Sequence, residues 1–401
     1  MKRYVLDNGL RVLEEEIPSE SVTVQVTVEV GSNYERDGIR GISHFIEHLL
    51  FEGTKKRKDA GVIANEIESL GGEINAFTDN VRTCYFVKVP KEHFEIALDI
   101  LSDMLICPLF RKRDVAKERN VILKEINIFT DETRFYQWTL FEQAMFRNNP
   151  ARFPVLGTIE DMNKISQADI IRYFRHHYTA LNASLCIAGG VKSAKKMIDS
   201  YFGKMGSGVR NVLPSFPEPE ERMERIVTEK RKLTNSYFVL GYKSPPRNLQ
   251  ESYALDVIQS ILGRGQSGRI FDEIRNKRGL SYEVGVTHHP SKGYGYFAVY
   301  LSCEKKNIPL IRQLISKEIR NLSRISEKQL KEAKGFLKGQ FILNKEDTQF
   351  RADSLSFWES VGDAALAEKY LGKIDAVSRA EVKKVAERYF RSATIAIVEQ
   401  E

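Results

Sequence analysis

Five valines at every second position, in V-T-V-Q-V-T-V-E-V over residues 22–30, form the most regular apolar pattern in the chain. Period-two alternation puts Val22, Val24, Val26, Val28 and Val30 on one face of a β-strand. A strand–turn–strand pattern around Asn8-Gly9 precedes it, and T-C-Y-F-V-K-V over residues 83–89 reads as a further strand. Phe94, Ala97, Leu98, Leu101, Met104 and Leu105 then recur at helical spacing, and helical sequence continues to about Phe146. The strand-like A-S-L-C-I-A-G-G-V closes this half near Val191.

Residues 206–221 carry three prolines and two glycines without periodicity and read as a linker. Beyond them the order repeats: S-Y-F-V-L-G-Y, a helix from Tyr253, Y-F-A-V-Y-L, two helices, and a closing A-T-I-A-I-V. D-V-A-K-E-R-N-V-I-L-K-E-I over residues 114–126 aligns with Q-L-K-E-A-K-G-F-L-K-G-Q-F over residues 329–341. At that offset of 215 residues Glu125 meets Gln340, while His44 and His48 meet Gln259 and Gly263. The pattern predicts an α+β protein of two similar, duplicated domains, each a largely antiparallel sheet with helices packed on it. The expected boundaries are 1–205 for a domain with ligand-type residues, 206–221 for the linker, and 222–401 for a copy that lost them.

Length agrees, since 401 residues suit two cores of about 200 each. A composition that is 42% hydrophobic and 29% charged excludes a disordered or membrane chain. There is no apolar run of about 18 residues, and the N-terminus goes directly into a strand pattern without a signal-peptide core, so no membrane partner and a cytoplasmic location are expected. Cys84, Cys107, Cys186 and Cys303 lie far apart, which argues against thiolate metal sites and a disulfide framework, and for a reducing compartment. The net charge of +7 is spread along the chain, so nucleic acid is not expected as a partner. Its one compact run, Lys55-Lys56-Arg57-Lys58, is expected to be a solvated loop.

The chemistry is concentrated in H-F-I-E-H-L-L-F-E-G-T over residues 44–54. As a helix this stretch is apolar nearly all round and should be buried, yet it holds two histidines and a glutamate, which then need partners. His44 and His48, four apart, project from one helix face and suit two bonds to one zinc, with Glu47 close to that face. The alternative is a core helix whose histidines bond backbone carbonyls, but packing gives no reason to bury Glu47. A catalytic zinc takes three protein ligands. In the following helix Val115, Glu118, Ile122, Glu125, Ile126 and Phe129 share a stripe, so two acids seven apart sit on an apolar face. Glu125 as third ligand and Glu118 orienting a histidine ring would account for both, as would two buried ion pairs with lysine or arginine.

H-x-x-E-H in this order, followed by E-R-N-V-I-L-K-E-I, resembles the pitrilysin and mitochondrial-processing-peptidase family of zinc peptidases, the inverzincins, over the whole duplicated chain. The resemblance implies one zinc per subunit on His44, His48 and Glu125, Glu47 as general base, and Glu118 supporting a ligand. It implies that Asn75 and Ala76, in G-G-E-I-N-A-F-T, belong to an edge strand that pairs with an extended peptide. It also implies that Arg275 and Tyr282, in R-N-K-R-G-L-S-Y, hold the substrate backbone and the developing oxyanion. The expected activity is zinc-dependent endopeptidase cleavage of unfolded peptides; the alternative is a non-catalytic peptide-binding or structural subunit. Large family members join two such two-domain units in one chain, and this chain has one. A homodimer enclosing a chamber is therefore expected, or a heterodimer with an inactive homologous partner.

Overall fold

The computed structural model describes residues 1–221 and 223–401. Strands β1 (Lys2–Val5), β2 (Arg11–Glu16), β3 (Ser21–Val28), β4 (Glu73–Thr78), β5 (Thr83–Pro90) and β6 (Ala183–Gly189) form one sheet in the order β1-β2-β6-β3-β5-β4. Strands β7 (Arg225–Arg231), β8 (Ser236–Lys243), β9 (Val284–Pro290), β10 (Gly295–Cys303) and β11 (Thr394–Gln400) form a second, in the order β7-β11-β8-β10-β9. In each sheet one neighbouring pair is parallel, β2–β6 and β7–β11, and the others are antiparallel. From β2 onward the two orders match strand for strand, so the duplication legible in the sequence is a duplication of sheet topology.

The first sheet buries its valine face against α1 (Ile42–Phe51) and α3 (Phe94–Ile106). Val22, Val24, Val26 and Val28 share a core with Phe45, Ile46, Leu49, Leu98 and Leu101. The opposite face of β3 is equally inaccessible: Thr23, Gln25 and Thr27 are fully buried. They lie under the helix Thr348–Val361, with Thr23 Oγ1 2.9 Å from Thr348 Oγ1, Gln25 Nε2 donating to Asp353 Oδ1 at 3.1 Å, and Thr27 bonded to Ser356. The alternation in β3 therefore separates an apolar interior from a polar one, whose hydroxyls and amide nitrogen are met by side chains of the covering helix.

That cover comes from the other half of the sequence. One compact unit comprises residues 1–127, 153–214 and 344–367; the other comprises 128–152, 215–343 and 368–401. In the second unit the equivalent cover is α5 (Thr133–Met145), which follows α4 (Lys112–Asp131). Trp138 and Phe141 of α5 meet Tyr300 and Tyr296 of β10 with ring centroids 5.2 and 5.5 Å apart. The two halves thus exchange equivalent helices, and the compact units do not coincide with contiguous spans 1–205 and 222–401. The stretch between the halves has no helix or strand and is anchored at both ends: Asn211 Nδ2 donates to Glu29 O in the first unit, and Glu218 accepts the Asn148 and Asn149 amides in the second.

In the basic run after α1, Lys55, Lys56 and Lys58 are exposed as expected and Arg57 is not. Arg57 is buried, with Nη2 2.7 Å from both Glu66 and Asp99 and Nη1 3.1 Å from Asp103, because α2 (Ala60–Glu68) and α3 direct three carboxylates at it. Phe129, expected on the buried stripe of α4, is 39% exposed and stacks on Phe135 instead. Among the described residues no helix is long and apolar enough to cross a membrane, and all four cysteines are free thiols.

Candidate metal centre

The site begins with how α1 starts. Gly41 precedes the helix at φ 90°, and a Cβ there would lie 2.5 Å from Leu156 O, so only glycine fits. No side chain of the capping residue serves the first amides. The buried Glu35 carboxylate does so, accepting Gly41 N–H at 2.7 Å and Ser43 N–H at 2.9 Å, with its charge at the positive end of the helix dipole. Burial pushes the Glu35 carboxyl up to about 7, against the opposing pull of these amides and Arg40.

On α1 His44 is buried, and Glu47 and His48 are half-buried. The apolar residues Phe45, Ile46, Leu49 and Leu50 fix the helix in the core and turn the His face toward α4. On α4, Val115, Glu118, Ile122 and Ile126 are buried, with Glu125 half-buried on the same stripe. Glu125 Oε2 lies 3.8 Å from His44 Nε2 and 3.6 Å from His48 Nε2. Donor atoms of these three side chains lie within 4.8 Å of one another, and among the described residues they form the one group of His, Cys, Asp or Glu so placed.

This donor set fits zinc. Tetrahedral coordination with bonds of about 2.0–2.2 Å separates donor atoms by roughly 3.3–3.6 Å, a few tenths of an ångström less than the two spacings from Glu125 to the histidines. Burial, reinforced by neighbouring His48, lowers His44 to about 3, so its imidazole is neutral and can offer a lone pair. His48 Nδ1 is 3.1 Å from Glu118 Oε2, which turns Nε2 toward Glu125. Burial disfavours a charge on His48, but the bond to Glu118 and the nearby Glu125 and Glu47 outweigh it and raise its pKa. Glu118 also pairs with Lys117 Nζ at 3.3 Å, but the Lys117 side chain is 59% exposed, so this is not a buried ion pair. No lysine or arginine pairs with Glu125 among the described residues. His44 Nδ1 is buried without a hydrogen-bond partner there.

Glu47 projects beside this group. Its Oε2 accepts a 2.5 Å hydrogen bond from Thr78 Oγ1, at the end of β4, a residue that the motif reading did not single out. Burial raises the Glu47 pKa, and Glu125 adds to that, while Thr78 and His48 oppose it. Asn75 and Ala76 lie on β4, which among the described residues pairs with β5 alone and is the edge strand of its sheet. Arg275 and Tyr282 belong to the second unit, where the Arg275 guanidinium lies 4.3 Å from the Tyr282 ring centroid and Tyr282 is 82% exposed. In that unit Gln259 Nε2 donates to Val286 O, and a Cβ on Gly263 would lie 2.5 Å from Val286 Cβ.

The model of the family described as insulinase (peptidase family M16) matches residues 11–159, and that of the peptidase M16 inactive domain matches residues 164–337. An uncharacterized zinc protease of Streptomyces coelicolor is 31% identical over 397 residues, covering 96% of this chain and 86% of its own.

The chain belongs to peptidase family M16.

A Bacillus subtilis relative, also described as an uncharacterized zinc protease, is 29% identical across 97% of this chain and 96% of its own. The fold agrees with M16 structures. A protease from Helicobacter pylori superposes with TM-score 0.93 at 22% identity, covering 99% of both chains. An M16 inactive-domain protein from Pseudomonas fluorescens gives 0.90 at 17% identity, covering 100% of this chain and 98% of its own.

Proposed function

We propose that this M16 chain is a zinc-dependent endopeptidase that hydrolyses unfolded peptides. The observation that carries the reading is the convergence of His44, His48 and Glu125 beside a half-buried carboxylate, Glu47, that stands outside this group of three and is held by Thr78. His44, His48 and Glu125 would hold one zinc per subunit, and Glu118 would keep the His48 ring aligned. Zinc bound there supplies Lewis-acid polarisation of a carbonyl and lowers the pKa of water.

Glu47 is the general base. Its Oε2 is engaged by Thr78, so Oε1 takes the proton of the attacking water and returns it to the leaving amine. A carboxyl raised by burial holds a proton more readily than an exposed one, which suits that transfer. The open edge of β4, at Asn75 and Ala76, adds the substrate as a further strand, so recognition is mainly of backbone and favours unfolded chains.

Exposed Tyr282 and its neighbour Arg275 would hold the oxyanion and the substrate backbone at the zinc site of a partner subunit, closing a peptide-sized chamber in a homodimer. Free thiols throughout fit a cytoplasmic location.

The test is Glu47→Gln: zinc content stays at one per subunit and peptide cleavage is abolished. Unchanged turnover would remove Glu47 from the reaction. A wild-type chain that binds zinc and peptide but cleaves nothing would favour the non-catalytic subunit. Mixing Glu47→Gln with Tyr282→Phe subunits should restore activity if the tyrosine acts across a homodimer. No restoration places it within one chain or points to an inactive heterodimer partner.

A further inference from the structure

The edge strand β4 has a support that neither the motif nor the metal centre requires. The turn joining it to β5 closes with Asp79 N–H donating to Arg82 O at 2.9 Å, and Asp79 Oδ1 accepts the amides of Val81 and Arg82 at 2.7 and 2.9 Å. Arg82 is 6% exposed. Its Nε lies 3.1 Å from Asp79 Oδ2, and Nη1 lies 2.8 Å from Asp353 Oδ1 on the covering helix Thr348–Val361. The guanidinium carbon sits 5.2 Å from the ring centroid of Phe77, on β4, and 5.4 Å from that of Phe357, on the covering helix. One arginine therefore joins the turn, the outward-facing aromatic of β4, and a helix more than 250 residues further along the chain.

An edge strand bonded on one side only frays first, and it templates an incoming strand only while its backbone stays extended. β4 is short, Glu73–Thr78, and its pairing ends at Thr78↔Thr83, directly against Arg82. A buried guanidinium with two carboxylates and two ring faces is a rigid clamp at that end, and lysine would reproduce the charge without the planar fork or the stacking.

We propose that Arg82 is a positioning residue for peptide hydrolysis: tied to Asp353, it holds the open edge of β4 in the extended conformation that docks the substrate backbone. This rests on the reading of β4 as the peptide-binding edge. It makes the covering helix, contributed by the second half of the sequence, part of the substrate-binding apparatus of the first.

The experiment measures kcat, KM and zinc content of the full-length protein on a quenched-fluorescence unfolded peptide, with amide exchange of residues 73–78. Arg82→Ala is expected to raise KM about tenfold, with a smaller fall in kcat because Thr78 at the same strand end holds Glu47, zinc retained, and faster exchange in β4. Asp353→Asn should raise KM less, Arg82→Ala/Asp353→Asn should be no worse than Arg82→Ala, and Arg82→Lys should recover only part. A general loss of stability would instead lower active-site content, and with it apparent kcat, leaving KM in place. Should Arg82→Ala fail to fold, Arg82→Lys and Asp353→Asn carry the same KM test. A wild-type enzyme that cleaves while these variants keep its KM overturns the role of Arg82 and leaves the peptidase reading intact. A wild-type chain that neither cleaves nor binds the peptide overturns both.

Discussion

The last residue of β4 restrains the carboxylate on α1: Thr78 Oγ1 donates to Glu47 Oε2 at 2.5 Å, leaving Oε1 as the only oxygen of that group without a protein donor among the described residues. Strand β4 and helix α1 are thereby set against each other by one hydroxyl.

Thr78→Val keeps the shape and removes the donor. A hydrogen bond to a charged group contributes about 1.5–3 kcal/mol, so kcat should fall roughly 10- to 100-fold as the base samples other rotamers. Zinc content and KM should change little, which steady-state kinetics with metal analysis on the same preparation would check.

Among the described residues the Glu118 carboxylate pairs with His48 and Lys117, and its bond to His48 Nδ1 turns Nε2 toward Glu125. Glu118→Gln should weaken zinc affinity by about 10- to 100-fold, as loss of a carboxylate behind a ligating histidine does. With zinc in excess, kcat should return close to the wild-type value. Competition against a chromogenic chelator reads the affinity, and a variant that binds as tightly as wild type would leave Glu118 without this role.

The buried Glu35 makes stability pH-dependent in the metal-free protein. Its carboxyl titrates at about 7 in the fold against 4.5 ordinarily, because burial disfavours the charge more than the Gly41 and Ser43 amides and Arg40 favour it. Between these values the native state keeps a proton that the unfolded chain has lost, so stability falls as pH rises toward 7. The penalty is complete above that and amounts to roughly 3 kcal/mol. Glu35→Gln removes it, so relative to that variant the wild type should gain stability as pH is lowered from 8 to 5. Chemical denaturation of both proteins after chelation would show the crossing trend, and parallel curves would contradict it.

Much of the site was legible along the chain because it is helical and local. His44, Glu47 and His48 lie within two turns, and the stripe from Val115 to Ile126 announces two acids on an apolar face. The stripe read one position too far, since Phe129 finds a partner in Phe135 beyond the end of α4 and leaves the core. Thr78 and Glu35 carry no periodic signal: Thr78 matters through one bond to Glu47, and Glu35 through two bonds to amides at the start of α1. The valine alternation revealed β3 but not what lies over Thr23, Gln25 and Thr27, because the covering helix is about 325 residues away and meets them polar to polar. Arg57 misled for a related reason. A run of like charges reads as solvated until three carboxylates from two other helices converge on one member.

The swap of equivalent helices between the halves leaves neither half of the sequence self-sufficient. Severing the backbone near residue 210 would yield an N-terminal piece whose polar sheet face is bare and whose Trp138 and Phe141 have lost their aromatic seat, and a C-terminal piece with the complementary defects. Neither fragment is a finished fold. Produced together, each would supply the lid that the other lacks, and the nicked protein should hold together as one particle.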